Sequence, residues 1–229
     1  MRERIRTASL FAGLLVLLAA AGSGAQDPVA VPESVVSAEE DAEDIIDFLL
    51  AGDWAQSRAI ADSIVACSPS IAQTMETQGI PLSTIDGFSY FVQRLRDLSS
   101  RSAEPVWAAI TANQITGILI DLEGHDASVP PRGIAWLDYL GREVVLWARV
   151  AAGETVLPER LMQIDATWAT LEPQIRERSG GPAVAADVER TLAAMHGSTA
   201  RKALIEQGMR LLDLVDEMEA LYAAPSSPR

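Results

Sequence analysis

Leu157, Leu161, Ile164, Trp168, Leu171 and Ile175 follow one another at intervals of three and four. A helix turns once every 3.6 residues, so this spacing places all of them along one face. The same rhythm recurs at Phe88, Val92, Leu95 and Leu98, and again at Leu204, Gly208, Leu211, Val215, Met218 and Tyr222. A half-buried strand would instead alternate apolar and polar residues, and no convincing alternation occurs. The expected fold class is therefore all-α.

Helix punctuation divides the chain into eight segments. Ser37 with Glu40 reads as a capping box opening the first helix, whose apolar face holds Ile45, Ile46, Leu49 and Leu50 before Gly52 ends it. Asp53 with Gln56 reads as the cap of the second, which carries Trp54, Ile60, Ile64 and Cys67 and is broken or kinked at Pro69. A third runs from about Ser83 to Leu98. Pro105 opens a fourth, with Trp107, Ile110, Ile118, Leu119 and Leu122, reaching Gly124. The fifth carries Ile134, Leu137, Gly141 and Val144 and ends at Gly153, and the sixth is interrupted by Pro173. Gly180-Gly181-Pro182 starts the seventh, and Ser198 caps the eighth.

The punctuation repeats. Ala51-Gly52-Asp53 parallels Ala152-Gly153-Glu154, Ser68-Pro69-Ser70-Ile71 parallels Glu172-Pro173-Gln174-Ile175, and Gly79-Ile80-Pro81 parallels Gly180-Gly181-Pro182. Leu119-Ile120-Asp121 likewise parallels Leu214-Val215-Asp216. A tandem duplication of an up-down four-helix unit accounts for this, over residues 37–124 and 134–223. A Pro-rich linker, 125–133, joins the two units, and 224–229 forms a disordered Pro/Ser tail. Chance recurrence of glycine and proline in loops is the competing explanation.

Ahead of this pattern stands a different kind of segment. Met1 to Arg6 carries three arginines against one glutamate, Ala8 to Ala21 is almost wholly apolar, and Gly22 to Ala25 is small. Basic, apolar and small-residue stretches in that order predict a secretory signal peptide over residues 1–25, cleaved before Gln26. The apolar run is short of the roughly 20 residues a membrane span needs, so no span is expected in the mature chain. No cysteine adjoins the cleavage site to take a lipid anchor. Residues 26–36, with two prolines, read as a flexible leader.

The whole chain carries a net charge of −14. Removing residues 1–25 takes away three Arg and one Glu, leaving about −16. Such a surface repels phosphate backbones and anionic lipid, which excludes nucleic acid as a partner. Solubility comes first among its consequences, followed by attraction for cations or basic partners. Cys67, the single cysteine, has no intramolecular disulfide partner and falls on an apolar helical face, as a buried small hydrophobe would. A reactive thiol or an intermolecular disulfide is the alternative. Lysine appears only at position 202 and asparagine only at 113, a bias associated with high-GC bacterial genomes.

Motifs for phosphate loops, dinucleotide binding, haem attachment and His-Glu-x-x-His zinc sites are missing. The Glu-x-x-His pairs of di-iron bundles are missing too, because Leu122 and Ala193 stand three residues before the two histidines. His196-Gly197-Ser198 superficially resembles a nucleophile cluster, but adjacency creates no triad, and capping with a helix-end charge explains both side chains. Asp121, Glu123, His125 and Asp126 form the candidate metal site, an imidazole with carboxylates suited to a first-row divalent cation. A solvated acidic helix end explains the same residues, as it does the run from Glu39 to Asp47.

The strongest candidate for ligand binding is a set of polar residues embedded in apolar helices: Asn113, Asp138, Arg142 and Asp165. Asp138 and Arg142 are four apart and can pair on one helix face. Asn113, with Gln114 beside it, stands mid-helix in an apolar segment, and Asp165 adjoins Ile164. If they converge, they form a buried polar network or line a ligand cavity between helices. These features point to an exported, non-enzymatic binding or accessory protein of the bacterial envelope, for a small ligand or a protein partner and without a cofactor. Periplasmic handling of iron or copper is the competing function.

Overall fold

The structure, a computed structural model, describes residues 32–102, 104–122 and 130–223. Eight α-helices make up those residues, with one 3-10 turn and no strand among them: α1 Glu33–Ala51, α2 Trp54–Thr77, α3 Leu82–Arg101, α4 Pro105–Leu119, α5 Arg132–Trp147, α6 Gly153–Arg176, α7 Gly181–His196 and α8 Arg201–Ala223. The 3-10 turn, Ile120–Leu122, continues α4. The expected all-α class is what the chain adopts. Among the described residues no helix is long and apolar enough to cross a membrane. The expected signal peptide, most of the leader and the tail lie outside the described residues, as do Glu123, His125 and Asp126.

Several helix ends follow the expected chemistry. Gly52 closes α1 in the left-handed region at φ 77°, where a side chain would be strained. Asp53 Oδ1 accepts the Gln56 backbone N–H at 3.1 Å and so caps α2. Pro105 occupies the first turn of α4, where its missing N–H costs nothing.

Elsewhere the structure departs from expectation or decides between its alternatives. α1 begins at Glu33 after Pro32, so Ser37 lies inside the helix and the leader is shorter than residues 26–36. Burial decides this, since Val35 and Ala38 are both fully buried and extend the apolar face backward. α2 runs through Pro69 to Thr77. Pro69 cannot donate to the Val65 carbonyl, and the Ser68 hydroxyl does so instead at 2.9 Å. α6 likewise continues through Pro158 and Pro173. Finally, α5 ends at Trp147 rather than Gly153. Gly153 starts α6 pressed against the end of α5: a Cβ there would stand 1.9 Å from the Trp147 carbonyl oxygen. Gly181 stands in the same relation to α6, with its Cβ position 1.8 Å from the Ile175 carbonyl oxygen.

Packing forms two closed cycles. α1 contacts α2 and α4, and α3 contacts the same two; α5 contacts α6 and α8, and α7 contacts those two. α4 against α5 joins the cycles. Each cycle has its own core, the first around Leu49, Ile64, Phe88 and Ile115, the second around Leu137, Ile164, Val188 and Leu211. The cores interpenetrate at the joint: Leu146 of α5 belongs to the first, Ile120 to the second, and Trp147 packs on both. α4, packed against α1, α3 and α5, is buried over nine of its fifteen residues, which is why its sequence is apolar all round.

Candidate functional site

α5 supplies the site, because it is the helix with charged residues on two buried faces. From Tyr139 to Leu146 every residue except Arg142 is buried. One face meets α4 and α6, and the other meets α1 and α8.

On the first face, Glu143 is fully buried. Its Oε1 accepts Asn113 Nδ2 at 3.0 Å and Gln114 Nε2 at 2.9 Å, both from α4. Its Oε2 accepts Trp147 Nε1 and the Arg160 Nε of α6, each at 2.9 Å. Both oxygens are thus doubly occupied, and the carboxylate is paired with a guanidinium as burial requires. The donors are themselves held. Asn113 Nδ2 also donates to the Tyr139 carbonyl and Gln114 Nε2 to the Tyr139 hydroxyl oxygen, both at 3.2 Å, while Arg160 Nη1 donates to Gln163 Oε1 at 2.9 Å.

Burial, reinforced by the Glu143 carboxylate, keeps the Tyr139 hydroxyl well above the usual phenol range. Burial opposes the Arg160 charge, but Glu143 outweighs it and raises Arg160 above its ordinary value. Two rings brace the seam edge-on: Trp107 of α4 meets Trp147 at 5.7 Å between centroids, and Trp136 meets Tyr139 at 5.4 Å. Gly117 leaves the space the Tyr139 ring occupies, since a Cβ there would lie 2.7 Å from Tyr139 Cε2.

On the second face, Arg142 Nη2 lies 2.8 Å from Asp138 Oδ2, so the expected pair forms. Arg142 Nη1 reaches across to Glu43 of α1, whose carboxyl also feels Asp138 and Glu39. Burial pushes the Asp138 carboxyl up to about 8; Arg142 pulls it back, while Glu43 and Glu219 of α8 add to the rise. Burial also works to raise Glu43, but Arg142, Asp138 and Glu39 more than offset it and leave Glu43 below its ordinary value. Close helix approach accompanies the pair: the Gly141 Cβ position lies 2.8 Å from Leu212 Cδ2 on α8.

The candidate ligand residues therefore divide rather than converge. Asn113 belongs to the Glu143 network, Asp138 and Arg142 belong with Glu43, and Asp165 lies apart. Asp165 pairs with His196 at 2.9 Å near the end of α7, both about half exposed. The condition for a single network or cavity, that all four converge, is not met, and the geometry of α6 gives the reason. Asp165 shares that helix with Arg160, but its side chain turns toward α7 while Arg160 turns toward α5. Asp121, from the candidate metal set, pairs with Arg132 at the start of α5. Among the described residues no group of three or more His, Cys, Asp or Glu is arranged to hold a metal ion. A surface groove of about 310 Å³ runs between the start of α5 and α6, lined by Pro131, Gly133, Thr167, Thr170, Leu171 and Gln174. None of the sequence-selected residues lines it.

Sequence reasoning missed Glu143 and Arg160 as network members and read Glu43 only as part of an acidic helix start. The signal for Glu143 was present: it falls amid Leu140, Val144, Val145 and Leu146, where a solvated charge has no room.

Comparison with protein-family models, with curated proteins and with solved structures finds no match, so the functional reading rests on this chain's own residues.

Proposed function

We propose that this chain is an exported, non-enzymatic binding or accessory protein of the bacterial cell envelope, built from two tandem four-helix units. The observation that carries the reading is the occupancy of Glu143, the fully buried carboxylate of the chain's central seam, by four donors. A general acid or base must turn an oxygen toward substrate. Glu143 turns both of its oxygens toward α4, α5 and α6, which suits a part that fixes the relative position of the two helical cycles. Recognition then falls to the outer surface, whose negative charge favours a basic partner or cations.

Duplication of the four-helix unit is supported by the matching contact order of the two cycles and by the positive φ shared by Gly79 and Gly180. The proline parallel is weaker support, because Pro69 lies well inside α2 while Pro173 is in the last turn of α6. Export rests on the sequence of residues 1–25.

Native mass spectrometry of protein collected from the periplasm or medium tests the proposal. The expected polypeptide begins at Gln26 or within a few residues of it and retains a partner or small ligand in stoichiometric amount. A chain that still carries Met1 and stays in the cytoplasm overturns the export reading. A retained divalent ion in place of a partner moves the function to metal handling.

A further inference from the structure

Glu43, Asp138 and Arg142 make a contact between helices of different cycles, and the contact has an unbalanced charge. Two carboxylates share one guanidinium, with Asp138 Oδ2 2.8 Å from Arg142 Nη2 and Glu43 on Nη1. A proton on either carboxyl would leave one negative charge against the one positive charge. The surroundings add more negative charge. Glu39 of α1 acts on Glu43, Glu219 of α8 acts on Asp138, and Asp216 acts on Glu219. The charged groups of the remaining helices packed on α5 turn elsewhere: Arg160 of α6 addresses Glu143 on the α4 side, and α4 presents the neutral Asn113 and Gln114 there.

We propose that the Glu43–Asp138–Arg142 triad is a pH-sensitive latch between the two helical cycles, closed while its carboxylates share a proton and loosened when that proton leaves. Asp138 is the proton carrier. Burial pushes its carboxyl up to about 8, with Glu43 and Glu219 adding to the rise against the pull of Arg142, whereas Glu43 is lowered. With the proton in place, Asp138 donates to the Glu43 carboxylate, and Arg142 neutralises the single negative charge. Once the proton is gone, two anions on different helices share one cation with Glu39 and Glu219 nearby.

The sign follows from linkage. A carboxyl raised above its unfolded value of about 3.9 binds more protons folded than unfolded between that value and about 8. Its contribution to stability is complete below about 4 and is lost as the pH rises through about 8. Alkaline conditions therefore open the joint.

Asp138→Asn keeps the shape and can still donate to Glu43, but it has no proton to lose. Urea denaturation of the wild type and this variant at pH 6.5 and 9.0 tests the latch. The wild-type midpoint is expected to fall by roughly 0.5 M across that window and the variant's to stay level. Deuterium uptake at pH 9.0, compared between the two proteins at the same pH, is expected to be slower in the variant across α1, α5 and α8. Should Asp138→Asn fail to fold, Glu43→Gln serves instead. It removes the second carboxylate and so lowers the Asp138 carboxyl, although burial still holds it above the ordinary range, and it should shrink the same pH dependence. Parallel pH profiles in the wild type and whichever variant folds, or equal uptake in those helices, overturn the proposal.

Discussion

Replacing Arg160 with methionine removes the guanidinium that touches Glu143 while keeping much of its apolar stem. Glu143 is 0% exposed and Arg160 16%, so solvent cannot replace the lost partner without the seam opening. At an effective dielectric near 20, two unit charges about 4 Å apart attract by about 4 kcal/mol. Breaking a buried pair from one side costs roughly 3–5 kcal/mol in measured cases. Asn113, Gln114 and Trp147 still donate to the carboxylate, which places the expected loss near the lower end. With a urea slope of about 2–3 kcal/mol/M, the denaturation midpoint should fall by roughly 1–1.5 M.

The double variant Glu143→Met/Arg160→Met supplies the decisive arm. Both charges are then gone; Asn113 and Gln114 lose Glu143 but keep their bonds to Tyr139, while Trp147 Nε1 is left without an acceptor, at a cost of about 1–3 kcal/mol. The double variant should therefore be more stable than the single Arg160→Met variant. A single variant within about 0.3 M of wild type, or a double variant with strictly additive losses, would falsify the account of Glu143 as a buried charge held by Arg160.

Arg142→Ala removes a partner from a half-buried triad, with side-chain exposures of 20% for Arg142 and 17% for Asp138. It should cost about 2 kcal/mol, more than a surface pair, and the loss measured by urea denaturation should be larger at pH 9 than at pH 6. An equal loss at both pH values would count against proton sharing. Two glycine substitutions should separate by the kind of atom they strike. Gly153→Ala drives a Cβ against the Trp147 backbone oxygen and should lower stability by about 2 kcal/mol or more. Gly141→Ala meets only the end of the Leu212 side chain, which can rotate, and the gain in helix propensity offsets the shift, for a net change under about 1 kcal/mol. Calorimetric melting temperatures ranked in the reverse order would refute both assignments.

Helix number and class were legible because they depend on short-range physics. The three-four spacing of Leu157 through Ile175 settles which face of α6 is buried, whatever that face meets. Gly52, Asp53 and Pro105 act on backbone groups within one turn, so their effects could be read directly. Ser37 was misread as a cap, and Pro69 does not break α2, for the complementary reason. A breaker or cap states a local preference of a few kcal/mol at most, and tertiary burial of Val35 and Ala38, with the Ser68 hydroxyl on Val65, overrides it.

The polar residues show the boundary most clearly. Asp138 and Arg142 lie four apart on one helix, and their pairing follows from helical geometry alone. Glu43, which completes the triad, lies 99 residues before Arg142, and nothing in the spacing of either helix selects it. Asp165 looks equivalent to Asn113 in sequence, each a polar residue among apolar ones. It ends beside His196 because of the direction in which its part of α6 faces. Sequence by itself determined that the chain is helical, where most helices turn and that α5 carries charge among apolar residues. Tertiary structure decided which charges meet, because an electrostatic contact is a property of two surfaces, and only packing brings the second surface into range.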